Sequence, residues 1–204
     1  MRVKIDRAKL VELYLPGTEG FTLVDVPEMP FAMIDGEGSP DHGASAKAIK
    51  TLFTAIYPIR REARKRMGKN FVEAPLEMLY WADDMHDLAA GNKENWKWKV
   101  MVVLPDWVDD EMFSQAVAEA RGQMDEVPES LRLEKFAEGR CAQIMHFGRQ
   151  QEVPATLERL YTEFLPQNEL DPAGPYHEIY LNDWSRVPPE KRKIVLRQPV
   201  RAAD

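Results

Sequence analysis

Three side chains near the C-terminus combine residue types and a spacing suited to chemistry: Tyr176, Glu178 and Tyr180, in the segment GPYHEIYLND at 174–183. The segment is rich in aromatic and β-branched residues and is bounded by Gly-Pro and Asn-Asp, which reads as a β-strand. Strand side chains alternate between faces, so the three share one surface. A carboxyl between two phenols can hold a cation beside aromatic faces, or act as a general acid or base. Exposed to water, the same residues would be an ordinary strand-face acid with two neighbours.

The other candidate groups are weaker. Cys141 is the single cysteine and lies in the apolar stretch CAQIM, so it reads as a buried, inert thiol in a chain without disulfides, which fits a reducing cytoplasm. DDMHDL at 83–88 groups Asp83, Asp84, His86 and Asp87 in a polar loop without a distant partner set, so no metal is expected. GEGSPDHG contains Gly36 and Gly38 but lacks the remaining spacing of a dinucleotide or phosphate loop, and turn geometry accounts for it. No cofactor is expected. There is no G-x-S-x-G elbow. His146 and His177 read as structural, His177 pointing away from the face that carries Glu178. Trp96 and Trp98 share a face of WKWKVMVVL with Lys97 and Lys99 on the other, which suits either a core or a platform for a flat ligand.

Composition narrows the class. With 204 residues, 44% hydrophobic and 30% charged, the chain is a globular protein with length for a sizeable core. A net charge of -7 argues against a nucleic-acid partner, because phosphate binding needs a basic field. Arg60, Arg61, Arg64, Lys65, Arg66 and Lys69 form a local exception, read as a solvated helix face with an anionic partner as the alternative. The charged start MRVKIDRAKL does not read as a signal peptide, so none is expected, and no run nears the ~18 apolar residues of a membrane span.

The elements that would position the triad follow from periodicity. Helices are expected at 6–14, 44–57, 109–124 and 154–165, with Pro58 kinking or restarting the second. Strands are expected at 21–26, 31–38, 76–83, 96–104, 133–147, 176–182 and 192–198. FAMIDGEG and CAQIMHFG match at Ala32/Ala142, Ile34/Ile144 and Gly38/Gly148, and Leu79-Tyr80 answers Ile179-Tyr180. The expected fold is therefore α+β, a tandem pseudo-twofold strand-helix-strand-strand repeat whose antiparallel sheets surround a central ligand cleft. One domain over 1–204 would hold repeats at about 20–105 and 106–200. The duplication places Met78 and Tyr80 on the face equivalent to that of Glu178 and Tyr180.

VPEMPFAMIDGEGSPD (26–41), PLEMLYW (75–81), WKWKVMVVLPDWV (96–108) and HEIYLNDWSRVPPEKRKIVLRQPV (177–200) resemble a stand-alone GyrI-like (gyrase-inhibitor-like) small-molecule-binding protein over nearly the whole chain. The resemblance implies a tandem-repeat fold like that of the effector-binding domains of multidrug-sensing regulators. It also implies a cleft with aromatic walls for planar hydrophobic compounds, cationic ones among them, with Glu178 as its central glutamate. Tyr80, Trp81, Trp96 and Trp98 match the family's aromatic segments; Tyr80, Trp96 and Trp98, with Met78 from the duplication and Tyr176 from the strand of Glu178, are the expected ligand contacts. Some full-length members resemble hydrolases that open the cyclopropane of DNA-alkylating cyclopropanoids. For such a reaction Glu178 would handle the attacking water's proton, with Tyr180 among the tyrosines that could donate to the substrate carbonyl. The family pattern DPRR is here Asp183-Trp184-Ser185-Arg186, which bears on the rim of the site. A helix-turn-helix module before the first repeat is not expected. The expectation is thus a cytoplasmic binder or enzyme with a small-molecule partner.

Overall fold

The computed structural model describes residues 7–84, 87 and 91–203; His86 of the polar loop lies outside the described residues. In chain order the elements are α1 (Arg7–Tyr14), β1 (Thr22–Val26), β2 (Met29–Glu37), α2 (Ala44–Ala55), α3 (Tyr57–Met67), β3 (Leu76–Ala82) and β4 (Trp96–Val103). There follow α4 (Asp110–Ala120), β5 (Arg132–Phe136), β6 (Gly139–Phe147), α5 (Val153–Arg159), β7 (Leu170–Pro172), β8 (Tyr176–Tyr180) and β9 (Lys193–Ala202). The protein is α+β and its sheet pairings are antiparallel. No helix among the described residues is long and apolar enough to cross a membrane.

The repeat is visible element by element. β2 and β6 are each followed by a short 3-10 turn, Pro40–His42 and Gln150–Glu152, that delivers the chain into a helix. In the first copy that helix stops at Ile56 and restarts as α3, with Pro58 in the first turn, where its missing N–H costs nothing. In the second copy α5 runs instead into a π-helical turn at Leu160–Phe164. α4 starts where Asp109 accepts a hydrogen bond from the Met112 N–H at 2.9 Å, and Asp110 and Glu111 favour the same end.

One expected strand is two. Residues 133–147 break between β5 and β6, where Gly139 takes φ +76, a left-handed conformation that ends the first strand. The break redirects pairing: β5 joins β2 with Phe31 opposite Glu134, while β6 joins β1 with Val24 opposite Cys141. Each repeat's leading strand therefore pairs with the second strand of the other repeat.

Two compact units result. Unit 1 contains the described residues of Met1–Glu28, Pro75–Glu77 and Ala137–Asp204. Its strands run β1-β6-β9-β8, with β7 also on β9. Its core includes Ala142, Leu160, Leu165, Leu170 and Val200, with Phe21 and Phe164 in a tilted ring contact at 5.3 Å beside them. Unit 2 contains the described residues of Met29–Ala74 and Met78–Phe136, with strand order β3-β4-β2-β5. There α4 packs on α2 and α3, and Phe31, Leu52, Ile56 and Val100 are buried.

Gly36 shows why a glycine interrupts β2. Gly36 lies opposite Trp98 on β4, and a Cβ on Gly36 would fall 2.1 Å from the Trp98 ring. Close approach of an indole, more than turn geometry, excludes a side chain there; Gly38, at φ +83, is the turn residue. Gly36→Ala should therefore displace Trp98 and destabilise the protein by about 1–3 kcal/mol. Urea unfolding checks this: the midpoint should fall, and Gly36→Ala with Trp98→Leu should recover part of the loss. An unchanged midpoint would contradict the contact.

Candidate functional site

On β8, Tyr176 and Tyr180 flank Glu178 on one face, as alternation requires. The Tyr176 hydroxyl donates to Glu178 Oε1 at 2.9 Å and the Tyr180 hydroxyl to Oε2 at 2.5 Å. Each carboxylate oxygen is thus an acceptor, the capacity of the ionised form. Glu178 and Tyr176 are each only 8% exposed. Pairing of β8 with β9 sets Glu178 opposite Leu196 and Tyr180 opposite Ile194. Two phenols held by a strand thereby orient one buried carboxylate, an arrangement competent to hold a cation or to accept a proton.

In unit 2, Met78 and Tyr80 are buried on β3, and the Tyr80 hydroxyl donates to the Met78 sulfur at 3.2 Å. The Trp96 ring meets Tyr80 edge-on at 5.7 Å, and its Nε1–H donates to the Asp87 carbonyl at 3.3 Å. Trp98 is 2% exposed and lies in the core against Gly36. The structure thus groups Met78, Tyr80 and Trp96, while Trp98 packs inward.

The opposite face of β8 carries a charge cluster that the sequence reading passed over. Glu77, Glu138, His177 and Arg197 are all essentially excluded from solvent. Glu138 bridges the two cations: Oε1 meets His177 Nδ1 at 2.9 Å and Oε2 accepts from Arg197 at 3.0 Å. Glu77 Oε1 accepts from the Tyr14 hydroxyl at 2.9 Å. Glu77 Oε2 lies 3.1 Å from His177 Nε2, paired by distance but without the alignment of a hydrogen bond. Arg197 further donates to Gln143 Oε1 at 3.0 Å and to the Leu13 carbonyl. A signal was present. Extending the match of Leu79-Tyr80 with Ile179-Tyr180 by two residues aligns Glu77 with His177, two ionisable residues of opposite type on a face read as apolar.

The remaining candidates are accounted for locally. Arg60 and Arg64 both pair with Glu73, Arg61 with Glu119 and Arg66 with Glu62, so much of the basic run is neutralised by the protein's own acids. Asp83 accepts from Lys97, and Asp87 from Asn92 and Asn95. His146 contacts the Thr156 hydroxyl and the Arg149 carbonyl. Burial raises the Cys141 thiol far above its ordinary pKa, which removes it as a nucleophile.

Residues 21–201 match the GyrI-like small molecule binding domain, and the chain belongs to that family. A conserved protein from Listeria innocua shares 31% identity and a TM-score of 0.83, over 98% of this chain and 100% of its own. A hydrolase from Listeria innocua shares 31% identity and a TM-score of 0.77, over 97% and 100%. The C-terminal domain of EcmrR has the same fold, with a TM-score of 0.57 at 10% identity over 90% of this chain and 98% of its own. No protein with a curated description matches the sequence significantly.

The cluster has a pH signature. Burial pulls the His177 pKa down, but the charge and hydrogen bond of Glu138, and then Glu77, raise it from 6.5 to about 9. A raised pKa means stability that is complete below about pH 6.5 and lost as pH rises through about 9. Burial likewise opposes ionisation of Glu138, but His177 and Arg197 hold its pKa below 4.5, so its contribution is present above that pH and lost as pH falls. Urea unfolding of the wild type should thus weaken between pH 6.5 and 9, by up to roughly 3 kcal/mol. His177→Gln should flatten that slope and lower stability at pH 6.5. A wild type equally stable across the window would rule out a protonated His177.

Proposed function

We propose that Glu178, with Tyr176 and Tyr180, is where this GyrI-like chain takes its small molecule: a planar hydrophobic compound, cationic compounds included, bound for detoxification or sequestration. The observation that carries the reading is the buried carboxylate gripped by a phenol on each oxygen. A preoriented anion spends little ordering free energy on binding. A delocalised cation beside it gains charge attraction, and each aromatic face adds ~0.5–2 kcal/mol. Family membership supports the small molecule; the triad supports its chemistry.

A second reading rests on the same carboxylate and is favoured by the likeness to the hydrolase from Listeria innocua. Water would add to a cyclopropanoid: its oxygen bonds to the less hindered ring carbon as the cyclopropane C–C bond breaks. The electron pair of that bond passes into the conjugated dienone, whose carbonyl becomes a phenol oxygen on taking a proton. Glu178 would receive the proton lost by the water, and the Tyr180 hydroxyl, on leaving its hydrogen bond to Glu178, would donate to the carbonyl.

Glu178→Gln and Tyr180→Phe test both readings. For the binder, titration with a planar fluorescent cation should show at least tenfold weaker affinity in Glu178→Gln. For the hydrolase, mass spectrometry of a duocarmycin-type cyclopropanoid should show gain of one water with wild type, and a rate ~10²–10⁴-fold lower in Glu178→Gln. If both variants match wild type in affinity and turnover, the site is elsewhere.

A further inference from the structure

The loop between β8 and β9 brings a further aromatic residue to the triad. Its base is pinned: the Leu181 N–H donates to the Lys193 carbonyl at 3.0 Å, and the Asn182 amide to the Lys191 carbonyl at 3.0 Å. Asp183 then accepts from the Ser185 N–H at 2.9 Å and the Ser185 hydroxyl at 2.6 Å, a turn that fixes Trp184. The Trp184 ring meets Tyr180 edge-on at 4.9 Å and 76°. On the indole sits the Arg192 guanidinium, 5.0 Å from its centroid, and Arg192 also donates to the Trp184 carbonyl at 3.1 Å. Trp184 therefore buttresses the phenol that donates to Glu178. It also stands at a position where the chain departs from the DPRR pattern.

Two donors in this stack are unused. Trp184 Nε1 and Arg192 Nε are shielded from solvent and have no hydrogen-bond partner among the described residues. A buried donor left unmade carries its full desolvation penalty, and native proteins keep few of them. Two on neighbouring side chains, one of which touches the site's tyrosine, favour a ligand that supplies an acceptor. We infer that Trp184 and Arg192 form an acceptor-reading subsite beside Glu178, which takes an oxygen such as a ring carbonyl on the planar compound bound there. The inference rests on Glu178 as the binding site and specifies the ligand: a planar ring system bearing an acceptor oxygen. A compound lacking the oxygen leaves both donors unsatisfied, the kind of mismatch that discriminates strongly between analogues.

Fluorene and fluorenone differ by that carbonyl and serve as the probe pair. Titrations would follow both compounds with wild type, with Trp184→Phe, which keeps a ring against Tyr180 but lacks the indole N–H, and with Arg192→Lys, which keeps the charge but lacks Nε–H. Wild type should bind fluorenone about tenfold tighter than fluorene, and each variant should bring the ratio toward one. The Trp184 indole proton resonance, assigned by its absence in Trp184→Phe, should move with fluorenone and not with fluorene. Equal affinities in wild type, or a ratio that both variants retain, would overturn the subsite while leaving Glu178 as the binding site. So would failure of fluorenone to bind a protein that binds planar cations. Failure of every planar compound would remove the Glu178 reading, and the subsite with it.

Discussion

The constraint on which unit 1 depends is the neutrality of a buried set of four charges. Glu77 and Glu138 are both removed from water, and each buried ion carries a desolvation penalty of several kcal/mol that only well-placed partners offset. Glu138 is held between two cations that face each other across β8 and β9, His177 and Arg197. Without Glu138 these like charges would repel at the closest cross-strand spacing. The start of β3, the β5–β6 break, β8 and β9 each contribute one of the four charges, and the end of α1 and β6 add Tyr14 and Gln143 as hydrogen-bond partners. An apolar core of equal volume could be as stable; what the ions add here is a demand on which residue sits opposite which.

That demand reaches the candidate site because His177 and Glu178 are adjacent and point to opposite faces. A one-residue slip of β8 exchanges every side chain between faces. Glu178 would then enter the cluster beside Glu77 and Glu138, placing three carboxylates against one guanidinium, while His177 would move between the tyrosines. Correct register is thus the arrangement that neutralises one face and clamps a carboxylate on the other. The cluster sums to no net charge, and the Glu178 carboxylate accepts from two phenol dipoles on the other face.

Much of this organisation was legible from periodicity. Alternation set the triad on one face, the i, i+3, i+4 pattern gave α2, Pro58 marked the restart of α3, and the FAMIDGEG and CAQIMHFG match exposed the duplication. What escaped was long-range. Glu138 meets His177 across 39 residues of chain and Arg197 across 59, contacts that no local pattern encodes. The break before Gly139 was masked because residues 133–147 read as strand on either side of it. The exchange of leading strands follows from that break, since a continuous strand could not pair with β2 and then leave for β1. Gly36 was legible as a glycine but not as a receptor for the Trp98 ring, because the cause lies on another strand.

The two copies of the duplicated scaffold diverge at equivalent strand positions. At equivalent positions, Met78 and Tyr80 stand against Glu178 and Tyr180, and in both copies the tyrosine hydroxyl donates to the residue two positions before it. The phenol geometry is therefore common to both; the acceptor differs, a weak thioether in one and a carboxylate in the other. Tyr176 supplies the second donor that the charged acceptor can use and a single thioether cannot. Changing the acceptor at one position, with a donor added two residues earlier, turns an apolar strand face into an oriented anion without altering the backbone that carries it. The same substitution in the first copy would place a carboxylate on β3 next in sequence to Glu77 but on the opposite strand face. The asymmetry of the repeat thus leaves one oriented anion, on β8, where the first copy has a thioether.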